Sequence, residues 1–172
     1  MDIYFPREDS ELILQNMRIP NGSRVLDMGT GSGILAAEAA KTAAEVVAAD
    51  INPEAVREMK KQDLPKIIPI RSNLFQRIDG EFDVILFNAP YLPGQEDSIW
   101  SGGEQGRGVI ERFLKNAGSH LKRSGCLYLL ISSKTGTDET IELFRKYGFN
   151  PVIAARKSLF FETLVLIQAT KI

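Results

Sequence analysis

Short apolar runs alternate along this chain with segments of helical character. Four successive apolar residues, Val84 to Phe87, predict a short buried strand. The first helical segment is ELILQNM, for which Asp9 or Ser10 can serve as the N-cap. The seven predicted strands are RVLDM, AEVVAAD, KIIPI, the run from Val84, CLYLLIS, PVIAARKS and ETLVLIQAT. Strands that alternate with helices predict an α/β fold with a mostly parallel, doubly wound sheet.

Two departures from simple alternation refine this prediction. The last two strands follow each other with no helix between them, so we expect one of the seven strands to be antiparallel. Proline cannot donate to a strand ladder, so Pro69 predicts that the strand from Lys66 to Ile70 lies at a sheet edge. Its isoleucines, Ile67, Ile68 and Ile70, would then face water. Because no repeat or linker interrupts the 172 residues, we expect one domain over residues 1–172.

A glycine-rich loop joins the first predicted strand, Arg24 to Met28, to the next helix. It reads Gly29-Thr30-Gly31-Ser32-Gly33, and the helix ILAAEAAK follows. Glycines let a ligand approach the backbone, while the start of a helix directs free N–H groups towards it. A dinucleotide fingerprint would need glycine where the chain has Ile34, so the spacing disfavours NAD.

An acidic residue ends the second predicted strand. Asp50 follows Gly29 by 21 residues and precedes Ile51-Asn52-Pro53-Glu54, where a new helix begins. A carboxylate at this place can accept two hydrogen bonds from a ribose diol, and we expect this role for Asp50. The alternative is that Asp50 only serves the start of the following helix.

The strand from Val84 ends in a turn that presents hydrogen-bond acceptors. The turn reads Asn88-Ala89-Pro90-Tyr91, in which Ala89 is held extended by the proline after it and Pro90 has no N–H. The side-chain oxygen of Asn88 and the main-chain oxygen of Ala89 suit the two hydrogens of a planar –NH2 group, and Tyr91 can pack on its plane. The same residues are also compatible with a simple strand-ending turn.

Charge and cysteine content narrow the possible functions. The 21 basic and 22 acidic residues give a net charge of −1 with no charged tail, which disfavours dedicated nucleic-acid binding. The single cysteine, Cys126, excludes an internal disulfide and a multi-cysteine metal site, and we expect it to be a buried structural thiol; no metal site is predicted. No apolar run reaches the length of a membrane span and no signal peptide is recognised, so the cytoplasm is the expected location.

Six segments resemble the HemK-like glutamine methyltransferases, which have the Rossmann-like fold of class I S-adenosylmethionine-dependent methyltransferases. The match covers nearly the whole chain, and the segments that carry it are YFPREDS, LDMGTGSG, AADINPEA, SNLF, DVILFNAPYLP and WSGGEQGRGVIERF. The turn at Asn88 is similar to the Asn-Pro-Pro-Tyr signature of these enzymes, with Ala89 in the place of the first proline. The likeness is greatest to the short archaeal and eukaryotic branch, which methylates the glutamine of the Gly-Gly-Gln motif in class I translation release factors.

The resemblance implies a cofactor, a set of site residues and a partner. The cofactor would be S-adenosyl-L-methionine. Its binding residues would be Ser10, Asp27, Gly29, Thr30, Gly31, Asp50, Ile51, Asn73, Leu74 and Asn88, with Asn73 replacing the usual aspartate. The methyl acceptor would be held by Asn88, Ala89, Pro90 and Tyr91. Relatives in the short branch work with a small zinc-binding activator subunit, so we expect a heterodimer through the edge strand Lys66 to Ile70.

Two other classes of function stay open at this point. Methyltransferases of adenine or guanine in RNA or DNA use the same four-residue turn, and some eukaryotic relatives are reported to act on lysine. The balanced charge disfavours nucleic acid as the substrate. A non-catalytic cofactor-binding module is the second alternative, and Asn88 and Tyr91 argue against it because such a module has no need of them.

Overall fold

Seven strands and five α-helices alternate along the residues that the computed structural model describes, 8–90 and 107–172. Two short 3₁₀ turns, Leu74–Arg77 and Ser133–Thr135, lie between them. In chain order the elements are α1 (Glu8–Asn16), β1 (Arg24–Met28), α2 (Ile34–Ala39), β2 (Glu45–Asp50), α3 (Pro53–Lys61), β3 (Ile67–Arg71), β4 (Phe82–Asn88), α4 (Arg107–His120), β5 (Leu121–Ser132), α5 (Thr137–Lys146), β6 (Phe149–Ser158) and β7 (Thr163–Lys171). Each predicted strand is present, although β5 begins five residues earlier than expected.

All seven strands belong to one sheet, in the order β3-β2-β1-β4-β5-β7-β6. Neighbours are parallel from β3 through β5, whereas β7 is antiparallel to both β5 and β6. The prediction of a mostly parallel sheet with one antiparallel strand is therefore confirmed. The chain adds strands in one direction from β1 to β3 and in the other from β4 onward, so the switch point lies between β1 and β4. Open α/β sheets bind their ligands at such a point, outside the carboxyl ends of the strands.

Helices cover both faces of the sheet, which explains why its central strands are apolar almost throughout. On β1, Leu26 and Met28 face the core formed with α4 and α5, while Val25 faces the core formed with α1, α2 and α3. The first of these cores contains Phe113, whose ring centroid lies 4.5 Å from that of Phe87. No helix within residues 8–90 and 107–172 is long and apolar enough to cross a membrane.

The edge position of β3 is confirmed, but its exposure is smaller than predicted. Only Ile68 is exposed, at 43% of its surface; Ile67 is buried and Ile70 is half-buried. The expectation that all three isoleucines face water was wrong for Ile67 because successive side chains point to opposite faces of a strand, and it was wrong for Ile70 because that side chain packs against the core on the other face. Ile67 packs into the core on the α3 side. Val46 donates its N–H to the Lys66 carbonyl, so alternation along the strand directs Pro69, which lacks an N–H, away from β2.

The structure corrects two further expectations and adds a second edge. Asp9 and Ser10 both lie inside α1, so neither is its N-cap. Cys126 is half-buried on β5 and not enclosed.

Strand β6 forms the opposite edge of the sheet and exposes Val152 at 54% and Ile153 at 40%, which the sequence analysis did not anticipate.

Candidate active site

The predicted site residues of three strands meet at the carboxyl edge of the sheet. Met28, the last residue of β1, pairs with Ala49 of β2 on one side and with Phe87 of β4 on the other. Asp50 and Asn88 each follow these partners by one residue, so they flank the glycine loop that continues from β1. The structure thus brings Asp50, Asn88 and the glycine loop together at the switch point of the sheet.

Backbone hydrogen bonds hold the glycine loop against β2. Gly29 and Thr30 both donate their N–H groups to the Ala49 carbonyl, at 2.7 and 3.0 Å. A Cβ added at Gly29 would lie 3.9 Å from the Asn88 carbonyl oxygen, which places the loop directly beside β4. Gly33 has a φ of 81°, and a Cβ there would lie 1.9 Å from Met59 Sδ, so glycine is required for the loop to pack on α3.

Asp27 lies beneath this loop with only 1% of its surface exposed. Its Oδ2 accepts hydrogen bonds from the Thr30 hydroxyl at 2.7 Å and from the Ala36 N–H at 3.1 Å. Its Oδ1 is buried and finds no hydrogen-bond partner among the described residues. Burial raises the pKa of Asp27 to about 7, and the nearby Asp50 charge acts in the same direction. Asp27 therefore braces the loop and leaves one carboxylate oxygen unsatisfied.

We expect the stability of the free protein to fall as pH rises from about 4 to 7. Because the pKa of Asp27 is raised from 3.8 to about 7, the folded state retains a proton that the unfolded state has released in this interval. The free energy of unfolding should drop by up to about 4 kcal/mol across it. Asp27→Asn should remove most of this dependence, measured by urea denaturation at pH 5 and pH 8. If the free energy of unfolding falls equally in the wild type and in Asp27→Asn between these pH values, Asp27 is not the group responsible for the pH dependence.

Asp50 is buried at the end of β2 and receives two backbone N–H groups. Oδ1 accepts from Asn52 at 2.8 Å and Oδ2 accepts from Gly31 at 2.9 Å. Burial raises the pKa of Asp50, while these donors oppose the shift. The N-cap of α3 is Asn52, whose side chain accepts from the Glu54 N–H, so Asp50 is not the cap of that helix. Each carboxylate oxygen keeps a further lone pair for a ligand.

A cavity of about 280 Å³ lies beside Ile51, the residue that follows Asp50. Ile51 and Asn73 line it together with Arg71, Ser72, Gln76 and Arg77. Leu74, also a predicted cofactor residue, is half-buried against the core and has a φ of 49°, a left-handed conformation that is strained for leucine. The Ser72 hydroxyl holds this turn by donating to the Leu74 carbonyl at 2.7 Å.

The end of β4 presents the expected acceptor group. Asn88 is half-buried, its Nδ2 donates to Asp9 Oδ2 at 3.0 Å, and its buried Oδ1 finds no partner within the described ranges. Ala89 is 1% exposed and donates its N–H to the Leu130 carbonyl of β5 at 3.3 Å. Pro90 is exposed, and Tyr91, predicted to pack on the acceptor, lies outside the described residues.

Helix α1 contributes one residue that the sequence analysis missed. Ser10, predicted to contact the cofactor, is buried on α1 with 4% of its surface exposed. The preceding Asp9 was considered only as a helix cap, yet its carboxylate contacts Asn88. The one sequence signal available was its position beside Ser10 in YFPREDS, because the contact joins residues 79 positions apart.

Comparison with known proteins assigns this site to a family. The sequence model of the methyltransferase small domain matches residues 8–158. The chain belongs to the methyltransferase small domain family. This confirms the prediction of an S-adenosylmethionine-dependent methyltransferase with the class I fold.

Individual relatives match the methyltransferase over nearly its whole length. A protein of Methanocaldococcus jannaschii named as an N5-glutamine methyltransferase is 38% identical over 183 residues, covering 99% of this chain and 93% of the relative. The human methyltransferase HEMK2 is 28% identical over 193 residues, covering 99% and 90%. A chain of the solved E. cuniculi complex of Mtq2 with Trm112, which methylates the termination factor eRF1, matches with a TM-score of 0.81 and 29% identity. The match covers 100% of this chain and 100% of the matched chain. The resemblance to the short archaeal and eukaryotic HemK-like branch is confirmed.

Proposed function

We propose that this methyltransferase methylates the side-chain amide nitrogen of the glutamine in the Gly-Gly-Gln motif of a class I translation release factor. The observation that carries the proposal is the carboxamide of Asn88, whose nitrogen is bound to Asp9 and whose buried oxygen is left as an acceptor beside the glycine loop. An acceptor oxygen suits an –NH2 group, the M. jannaschii relative is named for glutamine, and the E. cuniculi complex methylates a termination factor. The proposed location is the cytoplasm, where translation takes place.

The residues at the carboxyl edge fit S-adenosylmethionine. Asp50 can accept from the ribose hydroxyls, and Asn73, in the adjoining cavity, can accept from the adenine amino group. The Oδ1 atom of Asp27, which has no partner among the described residues, is an available acceptor beneath the loop, and a cationic ligand would favour the ionised form of this carboxyl. When bound, S-adenosylmethionine supplies a methyl group on a positively charged sulfur, which a nitrogen nucleophile can displace.

The chain's own residues can compensate for the weak nucleophilicity of an amide nitrogen. Its lone pair is delocalised into the carbonyl, so the site must act through orientation and electrostatics. Asn88 Oδ1 and the Ala89 carbonyl would each accept one N–H and fix the nitrogen with one face free to attack the methyl group. The same acceptors stabilise positive charge as it develops on nitrogen, which is oxyanion-hole stabilisation with the sign reversed. No base is required to remove a proton beforehand, because the positively charged nitrogen formed by the transfer is acidic enough to release its extra proton to water afterwards.

A methyl-transfer assay tests the proposal directly. Labelled S-adenosylmethionine should transfer its methyl group to the organism's release factor, and replacement of the motif glutamine by alanine, which has no –NH2 group, should abolish the transfer. Bulk RNA serves as the competing substrate in the same assay. Label in RNA alone would overturn the proposal in favour of nucleobase methylation, and label retained after the glutamine is replaced would point to another residue, such as lysine.

We also propose that a small zinc-binding activator subunit binds along β3. The strand is a sheet edge with an exposed Ile68, and free edges of this kind are covered in native proteins or used to add a partner strand. The alternative is that Lys66, Pro69 and Arg71 themselves protect this edge from aggregation. The E. cuniculi relative, solved as a complex with Trm112, supports the first reading.

Ile68→Asp should abolish the complex with the activator, because it places a charge in an apolar contact at the edge. Ile67 is unsuitable for this test because it is buried and its replacement would disturb the fold. Val152→Asp, on the opposite edge strand β6, is the matched control and should leave the complex intact. The measurement is co-purification after co-expression, followed by size-exclusion chromatography. Loss of the complex in Val152→Asp but not in Ile68→Asp would place the partner on β6. Full activity of the lone chain would contradict a heterodimer.

A further inference from the structure

Asp9 is a buried carboxylate that joins α1 to the end of β4. It is 2% exposed, its Oδ1 accepts the Ser10 N–H at 2.7 Å, and its Oδ2 accepts Asn88 Nδ2 at 3.0 Å. Asn88 is the residue whose free oxygen carries the proposed function. Asp9 therefore contacts the Asn88 carboxamide at its nitrogen, on the side opposite to the Oδ1 atom that would accept the substrate N–H.

The contact decides which way the Asn88 carboxamide points. A carboxamide can rotate by half a turn and exchange its oxygen and nitrogen at little steric cost. A carboxylate only accepts hydrogen bonds, so Asp9 selects the orientation in which Nδ2 faces it and Oδ1 faces away. In the opposite orientation two acceptor oxygens would stand about 3 Å apart, and an NH2 group would point where the substrate's own NH2 group has to bind.

We propose that Asp9 is a positioning residue that holds Asn88 in the acceptor orientation and so restricts the site to groups that donate an N–H. The inference rests on the proposed function, in which Asn88 Oδ1 receives the amide of the substrate. Two observations support the role of Asp9: its hydrogen bond with Asn88 Nδ2, and the burial of Asn88 Oδ1 with no hydrogen-bond partner among the described residues. A site with the carboxamide reversed would present a donor and would suit an oxygen acceptor instead.

Asp9→Asn tests this role with almost no change in shape. The asparagine can still accept the Ser10 N–H, but it can either donate to or accept from Asn88, so the orientation is no longer fixed. We expect kcat to fall by about 10- to 100-fold, the effect of losing a hydrogen bond to a charged group. The dissociation constant for S-adenosylmethionine, measured by calorimetry, should change less than threefold.

A double-mutant cycle separates positioning from a merely structural role. If Asp9 acts through Asn88, then Asp9→Asn combined with Asn88→Ala should be no slower than Asn88→Ala alone. Additive losses would overturn the proposal, because they would show that Asp9 contributes by another route. A loss of kcat below threefold in Asp9→Asn alone would also overturn it.

The side-chain amide signals of Asn88 give a readout that needs neither cofactor nor substrate. In ¹⁵N-labelled wild-type protein, assigned by comparison with Asn88→Ala, one Nδ2 hydrogen should be shifted downfield and protected from exchange by the Asp9 carboxylate. Asp9→Asn should remove both effects, and unchanged signals would overturn the proposal. The methyl-transfer assay with the wild-type enzyme and the release factor tests the proposed function separately. If another –NH2 acceptor is methylated instead, the cycle is run on that acceptor.

Discussion

Replacing Asn88 by alanine should lower the rate of methyl transfer by about 100- to 1000-fold, the usual loss when one preorganised hydrogen bond to a transition state is removed. The side chain ends β4 beside the glycine loop, and in the proposed function its Oδ1 accepts an N–H of the substrate and does not contact the cofactor. Cofactor binding should therefore stay nearly intact. Single-turnover kinetics with saturating S-adenosylmethionine would measure the rate, and calorimetry the dissociation constant.

A matched control for this experiment lies on α4. Asn116 is exposed and its Nδ2 donates to the Arg112 carbonyl, one turn earlier on the same helix, so Asn116→Ala removes the same group far from the chemistry. It should retain wild-type turnover. A loss of less than tenfold in Asn88→Ala, or an equal loss in both variants, would exclude Asn88 from its proposed role.

Replacing Asp50 by alanine should weaken S-adenosylmethionine binding by roughly 1.5 to 3 kcal/mol, the range for a hydrogen bond to a charged group. This corresponds to a dissociation constant about 10 to 150 times larger. Asp50 also anchors the Gly31 N–H at 2.9 Å, so its loss loosens the loop and acts in the same direction. Calorimetric titration of the purified protein would measure the change.

The control for Asp50 is the acid at the start of the next helix. Glu54 is partly exposed and pairs with Arg57 on the same helix, so Glu54→Ala removes a carboxylate close in sequence but outside the proposed ribose site. It should leave the affinity for S-adenosylmethionine unchanged. Tight binding of NAD by the wild type, or an unaltered affinity in Asp50→Ala, would refute the cofactor site.

The fold was predictable because its signals are local. Apolar runs mark the strands, the glycines after β1 mark the loop, and the missing N–H of Pro69 marks the edge of the sheet. Motif positions also led to Asp50 and Asn88, which the structure places on either side of the loop. In each case a residue and its immediate neighbours carry the information.

What the sequence did not reveal depends on contacts between distant segments. Asp9 meets Asn88 only because α1 packs near the end of β4, and no local pattern indicates that contact. The raised pKa of Asp27 follows from its enclosure beneath the loop, which its position before Gly29 does not predict. Ile67 and Ile68 look alike in the sequence, and only the face of β3 on which each lies separates core from solvent.

The place of β7 has a consequence for the order in which the protein can assemble during synthesis. β7 follows β6 in the chain but lies between β5 and β6 in the sheet, pairing with Leu130 on one side and Ile153 on the other. A nascent chain that has emerged only as far as β6 has no neighbour for that strand, and the free side of β5 stays open. The five parallel strands that carry the site can pair first, whereas β6 must wait for β7. Until then the unpaired edge of β5 exposes the growing chain to aggregation.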